Sequence, residues 1–458
     1  MAKSRRWVIV FALVSLLLGT VAGVLWGPHS THADRLIPLG FSGTSHNLDL
    51  SVAYDQATHT LSGEPTDLGA EGSSPFDAVM HPNEAEIWMA GFTGDGVVIL
   101  DAQTNAVIDR IPAVGDTPVD IEFSKDGSLA YVSNRNSQNI VVIDAQTRQL
   151  LDTIPITSEV DSNLWAGMMS LNPCTGELYM VNYFDGELWR IDPEAGEVTE
   201  ELLGLGTTLW NPMVDPQAER LYVTDRERLG DLVHVIDITG PTFEPITSIP
   251  VGDDPWGIDV SLDGQTIVVA NEDSNNLQII DAETLTVTKS ITLTVPGSDD
   301  TVEPRDVEIS KDGRFAYAPS NDVQFAEDED AILVVDLETG EQVEAIMLGD
   351  VRKPVIVSVA PPPPSLDPIP SFTVSGAPAI NQVIQFMDTS GNGPTAWAWD
   401  FGDGVGSSTL QNPIYNYANP GTYTVTLTAT NHCGSQTTTL DLEVTGSFEA
   451  FLPIIRKP

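Results

Sequence analysis

The chain has 458 residues, 66 of them acidic and 20 basic, for a net charge of −46. So few Lys and Arg exclude nucleic acid as a partner, because phosphates are bound through those side chains. Hydrophobic content of 41% suits a packed globular fold. The excess charge reads as solubility and self-repulsion of an exposed surface, with divalent-cation binding or a saline habitat as alternatives.

Residues 1–33 open with Lys3, Arg5 and Arg6, continue uncharged from Trp7 to Trp26, and reach small residues at Thr31-His32-Ala33. This is the pattern of a cleaved signal peptide or of a retained N-terminal anchor. Either one exports the body of the protein to the cell surface or the extracellular space, with the basic end left inside. Membrane contact is expected only through this segment, if it stays uncleaved.

From there to residue 360 one pattern repeats. In the stretch from Pro118 to Asp144, Ile121 and Phe123 alternate with Asp120 and Glu122, the period of a strand. Lys125-Asp126-Gly127 turns the chain, and Leu129 to Val132 and Ile140 to Ile143 form further strands. The Asp that closes the third strand recurs as Asp55, Asp101, Asp144, Asp192, Asp237, Asp281 and Asp336, at intervals of 43 to 55 residues. Units of about 40–50 residues with four short strands are propeller blades. The longest interval carries the acidic insert NDVQFAEDED, expected to be an exposed loop. Six units are complete. The seventh has to combine a strand at Pro354 with strands from residues 36–67, which hides both sheet edges; six blades is the alternative, if residues 34–70 pack elsewhere.

The strings LAYVSN, ELYMVN and RLYVTD, followed by IVVIDAQT or VHVID, resemble the YVTN repeat of seven-bladed β-propellers over about residues 46–360. The resemblance implies fold rather than function, since this architecture carries binding proteins, surface proteins, lactonases and haem-domain propellers alike.

Aligning the units gives candidate site positions. The residue after each opening Pro or Leu is Phe76, Val119, Trp165, Trp210, Trp256, Arg305 or Val355. The first strand of each blade lines the central channel, so these form a ring near one mouth. Next come Asp77, Asp120, Ala166, Asn211, Gly257, Asp306 and Ile356, and two residues further on Glu122, Asp259 and Glu308. One reading is structural: the Trp rings pack between blades and the acids bond backbone groups of the neighbouring blade. The other is a site: Trp165, Trp210, Trp256 and Arg305 hold a sugar or other flat ligand, while Asp120, Glu122, Asp259, Asp306 and Glu308 take hydroxyls or a Ca²⁺ ion.

Ala360-Pro-Pro-Pro-Pro-Ser ends the repeats, and residues 361–366 read as a stiff spacer that uncouples the C-terminal domain from the propeller. Residues 367–446, rich in Thr, Ser and Gly, read as a small β-sandwich. Trp399-Asp-Phe-Gly-Asp-Gly404 and NPGTYTVTLTATN resemble the PKD domain, which implies an extracellular spacer or interaction module. Residues 447–458 form a short apolar tail, either a docking tag or a last strand. The two cysteines, Cys174 and Cys433, fall in different domains, so two unpaired thiols are expected, with an inter-domain bridge as the alternative.

Gly-x-Ser-x-Gly, His-Glu-x-x-His, a phosphate-binding loop and Cys-x-x-Cys-His are all absent, and no catalytic residue is assigned. The expected whole is an all-β chain: a seven-bladed propeller over residues 34–360, then a PKD-like β-sandwich. Its expected role is an exported, non-catalytic binding or adhesion protein for polysaccharide or a surface protein. A lactonase- or hydrolase-type enzyme using channel-mouth carboxylates with a divalent metal, and a structural envelope component, are the alternatives.

Overall fold

A computed structural model describes residues 35–40, 50–55, 60–69, 75–157, 165–183, 186–226, 231–296, 302–319, 331–347, 354–358, 366–376, 378–431 and 433–446; at 35–40, 50–55, 60–65 and 354–358 only the backbone is described. The expected leader at 1–33, the acidic insert, the proline run and the C-terminal tail lie outside these residues or almost so. Among the described residues no helix is long and apolar enough to cross a membrane.

The repeats fold into seven four-stranded antiparallel sheets. Their inner strands are Pro75–Met80, Pro118–Phe123, Ala166–Leu171, Leu209–Val214, Pro255–Val260, Glu308–Ile309 and Pro354–Ser358. Neighbouring blades meet along these strands, and Pro354–Ser358 touches Pro75–Met80, which closes the propeller. The closing sheet is composite: Pro354–Ser358 pairs with Arg35–Gly40, which leads on to Leu50–Asp55 and Thr60–Asp67.

Between sheets lie apolar cores such as Trp88, Ile99, Ile121, Phe123 and Val141. The marker Asp has a local reason. Asp144 Oδ1 accepts from Gln146 N and Thr147 N, and Asp281 Oδ1 accepts from Thr284 N and Oγ1, so the carboxylate closes the turn into the fourth strand.

Each inner strand starts at one face, here the front, and runs to a turn at the back. The PKD-like sandwich has sheets Phe372–Ser375, Ile384–Asp388, Ile414–Tyr415 and Ser407–Ser408, Ala396–Asp400, Gly421–Asn431, Gly434–Val444. Trp399 and Phe401 are buried with Phe386, Tyr417 and Leu427. Gly402 has φ 78°, and a Cβ there would sit 2.4 Å from Thr424 O, so only glycine fits. Asp403 accepts from Val405 N, Gly406 N and Tyr415 Oη, and so holds the turn.

Two expectations are corrected at the junction. The thiols are not free: Cys174 and Cys433 form a disulfide across 259 residues. Nor is the sandwich uncoupled from the propeller by its linker. Lys125 Nζ donates to Cys174 O at 2.5 Å and pairs with Asp367 at 3.2 Å. Asn431 Nδ2 donates to Leu366 O at 2.7 Å, and Leu366 and Cys433 pack on the core containing Tyr179, Leu209 and Leu221. Lys125 and Cys174 both lie in turns that come after inner strands, so the sandwich is fastened to the back.

Candidate functional site at the channel mouth

The front of the propeller carries the inner ring that repeat alignment picks out. Trp210 and Trp256 meet edge to face with centroids 4.3 Å apart, and Phe76 lies 6.2 Å from Trp210. Trp165 reaches Trp210 through Tyr183, which stacks on Trp165 at 5.6 Å and meets Trp210 edge-on at 5.3 Å. Arg305 lies over Trp256 at 5.0 Å.

A second ring, which repeat alignment of the inner strands misses, interleaves with the first. It is formed by the residue just after each second strand: Phe92, Arg135, Tyr183, Arg226 and Glu272. Arg135 N, Arg226 N and Glu272 N donate to the carbonyls of Thr117, Thr208 and Asp254, each just before an opening residue. The second strands end on buried Asn134, Asp225 and Asn271, whose side chains occupy the space a Cβ would need at Gly115, Gly206 and Gly252. The Gly three residues before Pro118, Leu209 and Pro255 is thereby the sequence signal for this ring in those blades.

The rings mesh as alternating aromatic and guanidinium groups. Arg135 lies over Trp165 and 5.7 Å from Phe92, while Arg226 lies 3.7 Å from the Trp256 centroid and 5.2 Å from Trp210. Such contacts stabilise by roughly 0.5–2 kcal/mol each, more as water is excluded. Two of the guanidinia are neutralised. Arg226 makes a two-point pair with Asp254, at 2.6 and 2.7 Å, and Arg305 contacts Glu272 at 2.6 Å. Burial pushes the Glu272 carboxyl up to about 7 against the pull of Arg305. Arg135 differs: among the described residues no carboxylate pairs with it, and its buried Nε–H has no acceptor. Burial lowers its guanidinium to about 10, which leaves it charged at neutral pH. Beside it a pocket of about 30 Å³ is lined by Phe76, Trp165, Met168, Tyr183 and Trp210.

A channel cavity of about 140 Å³ opens among Phe76, Trp210, Trp256 and Arg305 of the rim and is lined further by Asp77, Asp120, Glu122, Asp306 and Glu308. Asp259 is not among its lining residues. These carboxylates bridge blades. Asp77 accepts from Ile121 N at 3.0 Å, Asp120 from Met169 N, Glu122 from Leu171 N at 3.2 Å and Asp259 from Ile309 N at 2.7 Å. Burial, then the charge of Asp77, pushes the Glu122 carboxyl up to about 8; burial brings Asp259 to about 6. Glu308 is raised well above its usual range by burial and then by Asp259, Asp306, Asp77 and Glu122. Among the described residues no three His, Cys, Asp or Glu groups converge closely enough to hold a metal ion. The described propeller histidines are engaged elsewhere: His81 with Gly127 O, and His234 with Asp225 and Ser248.

Fold and mouth together define a β-propeller that carries a C-terminal PKD domain. Residues 362–446 match the PKD domain family, and residues 65–161 match the family described as the Cytochrome D1 heme domain. No curated protein sequence matches the chain. Among solved structures, hydrazine synthase of Kuenenia stuttgartiensis superposes with a TM-score of 0.51 at 18% identity, over 63% of this chain and 89% of that one. A functionally unknown protein of Desulfotomaculum acetoxidans superposes with a TM-score of 0.57 at 15% identity, over 72% of this chain and all of that one. At these identities the likeness is one of fold.

Proposed function

We propose that the chain is an exported binding protein whose propeller mouth takes a sugar unit of a polysaccharide, with the PKD domain as its fixed base. The observation that carries this is the continuous rim of Phe92, Phe76, Trp165, Tyr183, Trp210 and Trp256, half-buried and interleaved with guanidinia. Aromatic faces that stay partly open to solvent suit the apolar face of a pyranose, while the rim's polar groups suit hydroxyls. Export is supported by the PKD match, since such domains occur typically in extracellular proteins, and by the disulfide, which belongs to oxidising compartments. The fold neighbours leave binding and catalysis both open.

A glycan array on the whole chain tests the reading. Trp210→Ala is expected to abolish wild-type binding while costing about 2–4 kcal/mol of stability, on the scale of its three aromatic pairs with Phe76, Tyr183 and Trp256. Absence of any wild-type ligand, or equal binding by Trp210→Ala, would leave the rim a packing device. A hydrolase reading draws on Glu122, held protonated near neutral pH as a general acid would be. Turnover of an array ligand, lost in Glu122→Gln, would favour it.

A further inference from the structure

The three guanidinia at the mouth are not equivalent. Arg226 and Arg305 spend their donors on Asp254 and Glu272. Arg135 stacks on Trp165 and keeps a buried Nε–H without an acceptor, beside a small pocket walled by Trp165, Tyr183, Phe76 and Trp210. The chain as a whole carries −46, so carboxylates are plentiful, yet none is placed against this cation among the described residues. A buried guanidinium donor is costly to leave unpaired, and its fork matches the two oxygens of a planar oxyanion.

We infer that Arg135 is the anion-recognising residue of the mouth and that the ligand is an acidic sugar, its oxyanion on Arg135 and its ring on the adjoining Trp165–Tyr183–Trp210 faces. This rests on the sugar-binding reading and narrows it. The opposing field of the chain acts at long range and is screened beyond about 8 Å at physiological ionic strength, so a contact inside the rim survives it. The channel carboxylates share one cavity with Phe76, Trp210 and Trp256, so like charge turns an acidic ligand away from that side of the rim and towards the Arg135 side.

The test is calorimetric titration of the whole chain with a uronate hexasaccharide, with the same hexasaccharide after reduction of its carboxyls to alcohols, and with a sulfated hexasaccharide. The expected result is at least tenfold tighter binding of an acidic oligomer than of the reduced one, and the two acidic arms identify the oxyanion. Arg135→Gln should remove that preference, Arg135→Lys should keep part of it, and Lys311→Gln, in the back turn after Glu308–Ile309 where Lys311 pairs with Glu84, should change nothing. Equal binding of acidic and reduced oligomers overturns the inference and leaves the sugar-binding reading standing. So does an acidic preference that persists in a folded Arg135→Gln. Binding of none of the three overturns this inference, while the glycan array decides the sugar-binding reading separately. The ligand comparison uses wild-type protein alone, so it decides the acidic preference even if Arg135→Gln fails to fold, and the charge-conserving Arg135→Lys then tests the assignment to Arg135.

Discussion

At the scale of single residues, the channel carboxylates set how the molecule responds to pH. Glu122 titrates at about 8 instead of 4.5, and Asp259 at about 6 instead of 3.8. Both are raised in the folded state, so the native protein binds more protons than the unfolded chain between these values. Their contribution is complete below the ordinary carboxylate values and is lost as pH climbs through the folded ones. The turn-closing Asp144 and Asp281 are shifted down by their Thr partners, and their contribution is lost instead as pH falls. Thermal stability should therefore be greatest near the ordinary carboxylate values, at about pH 4, and decline as pH rises towards about 8. Calorimetric melting from pH 4 to 9 checks this; Glu122→Gln should flatten the alkaline decline, and an unchanged slope would remove Glu122 as its cause. Repeat alignment makes these acids legible in the sequence, because Asp120 and Glu122 recur in register as Asp306 and Glu308. Their pairing is not legible, since the N–H groups of Met169 and Leu171 come from another blade almost fifty residues away. Arg135 escapes notice for a simpler reason: it comes just after a strand, where a polar residue reads as an ordinary turn.

At the scale of elements, the composite sheet carries the closure. Pro354–Ser358 has its partner in Arg35–Gly40, and the register runs Ile37 to Ser358, Pro38 to Val357 and Gly40 to Pro354. Deleting residues 35–67 would strip three strands from that sheet, leave Pro354–Ser358 without its paired strand and uncover the packed faces of both flanking blades. The expected outcome is loss of the whole propeller transition rather than of one blade. Denaturant unfolding monitored by tryptophan fluorescence checks it, because Trp210 and Trp256 sit on the far side of the chain order from the deletion. Unchanged melting would mean the seam is dispensable. The marker Asp spacing and the strand-like 36–67 segment together bring this closure within reach of the sequence, since a sheet begun at one end needs its missing strand from the other.

At the scale of the whole molecule, the disulfide and the Lys125–Asp367 pair make the propeller and sandwich one body. Closing a loop of 259 residues restricts the unfolded chain by an amount worth about 5–6 kcal/mol in the loop-entropy limit. Cys433→Ser should lower overall stability by that order and let the PKD domain swing, seen as a larger radius of gyration in X-ray scattering and faster proteolysis at the proline run. A variant with unchanged scattering would show that Lys125, Leu366 and Asn431 suffice. Spacing hides this bond, because only the folded back face brings a blade turn beside a sandwich turn.

The placement of that bond has a mechanical consequence. Arg35 and Ser358 lie at the same end of an antiparallel strand pair, so tension between the two chain ends leaving it would peel the seam open one hydrogen bond at a time. Cys174 belongs to a different blade. Force arriving through the PKD domain passes from Cys433 into the middle of the ring and spares the seam, so the crosslink acts as a strain relief for the composite blade.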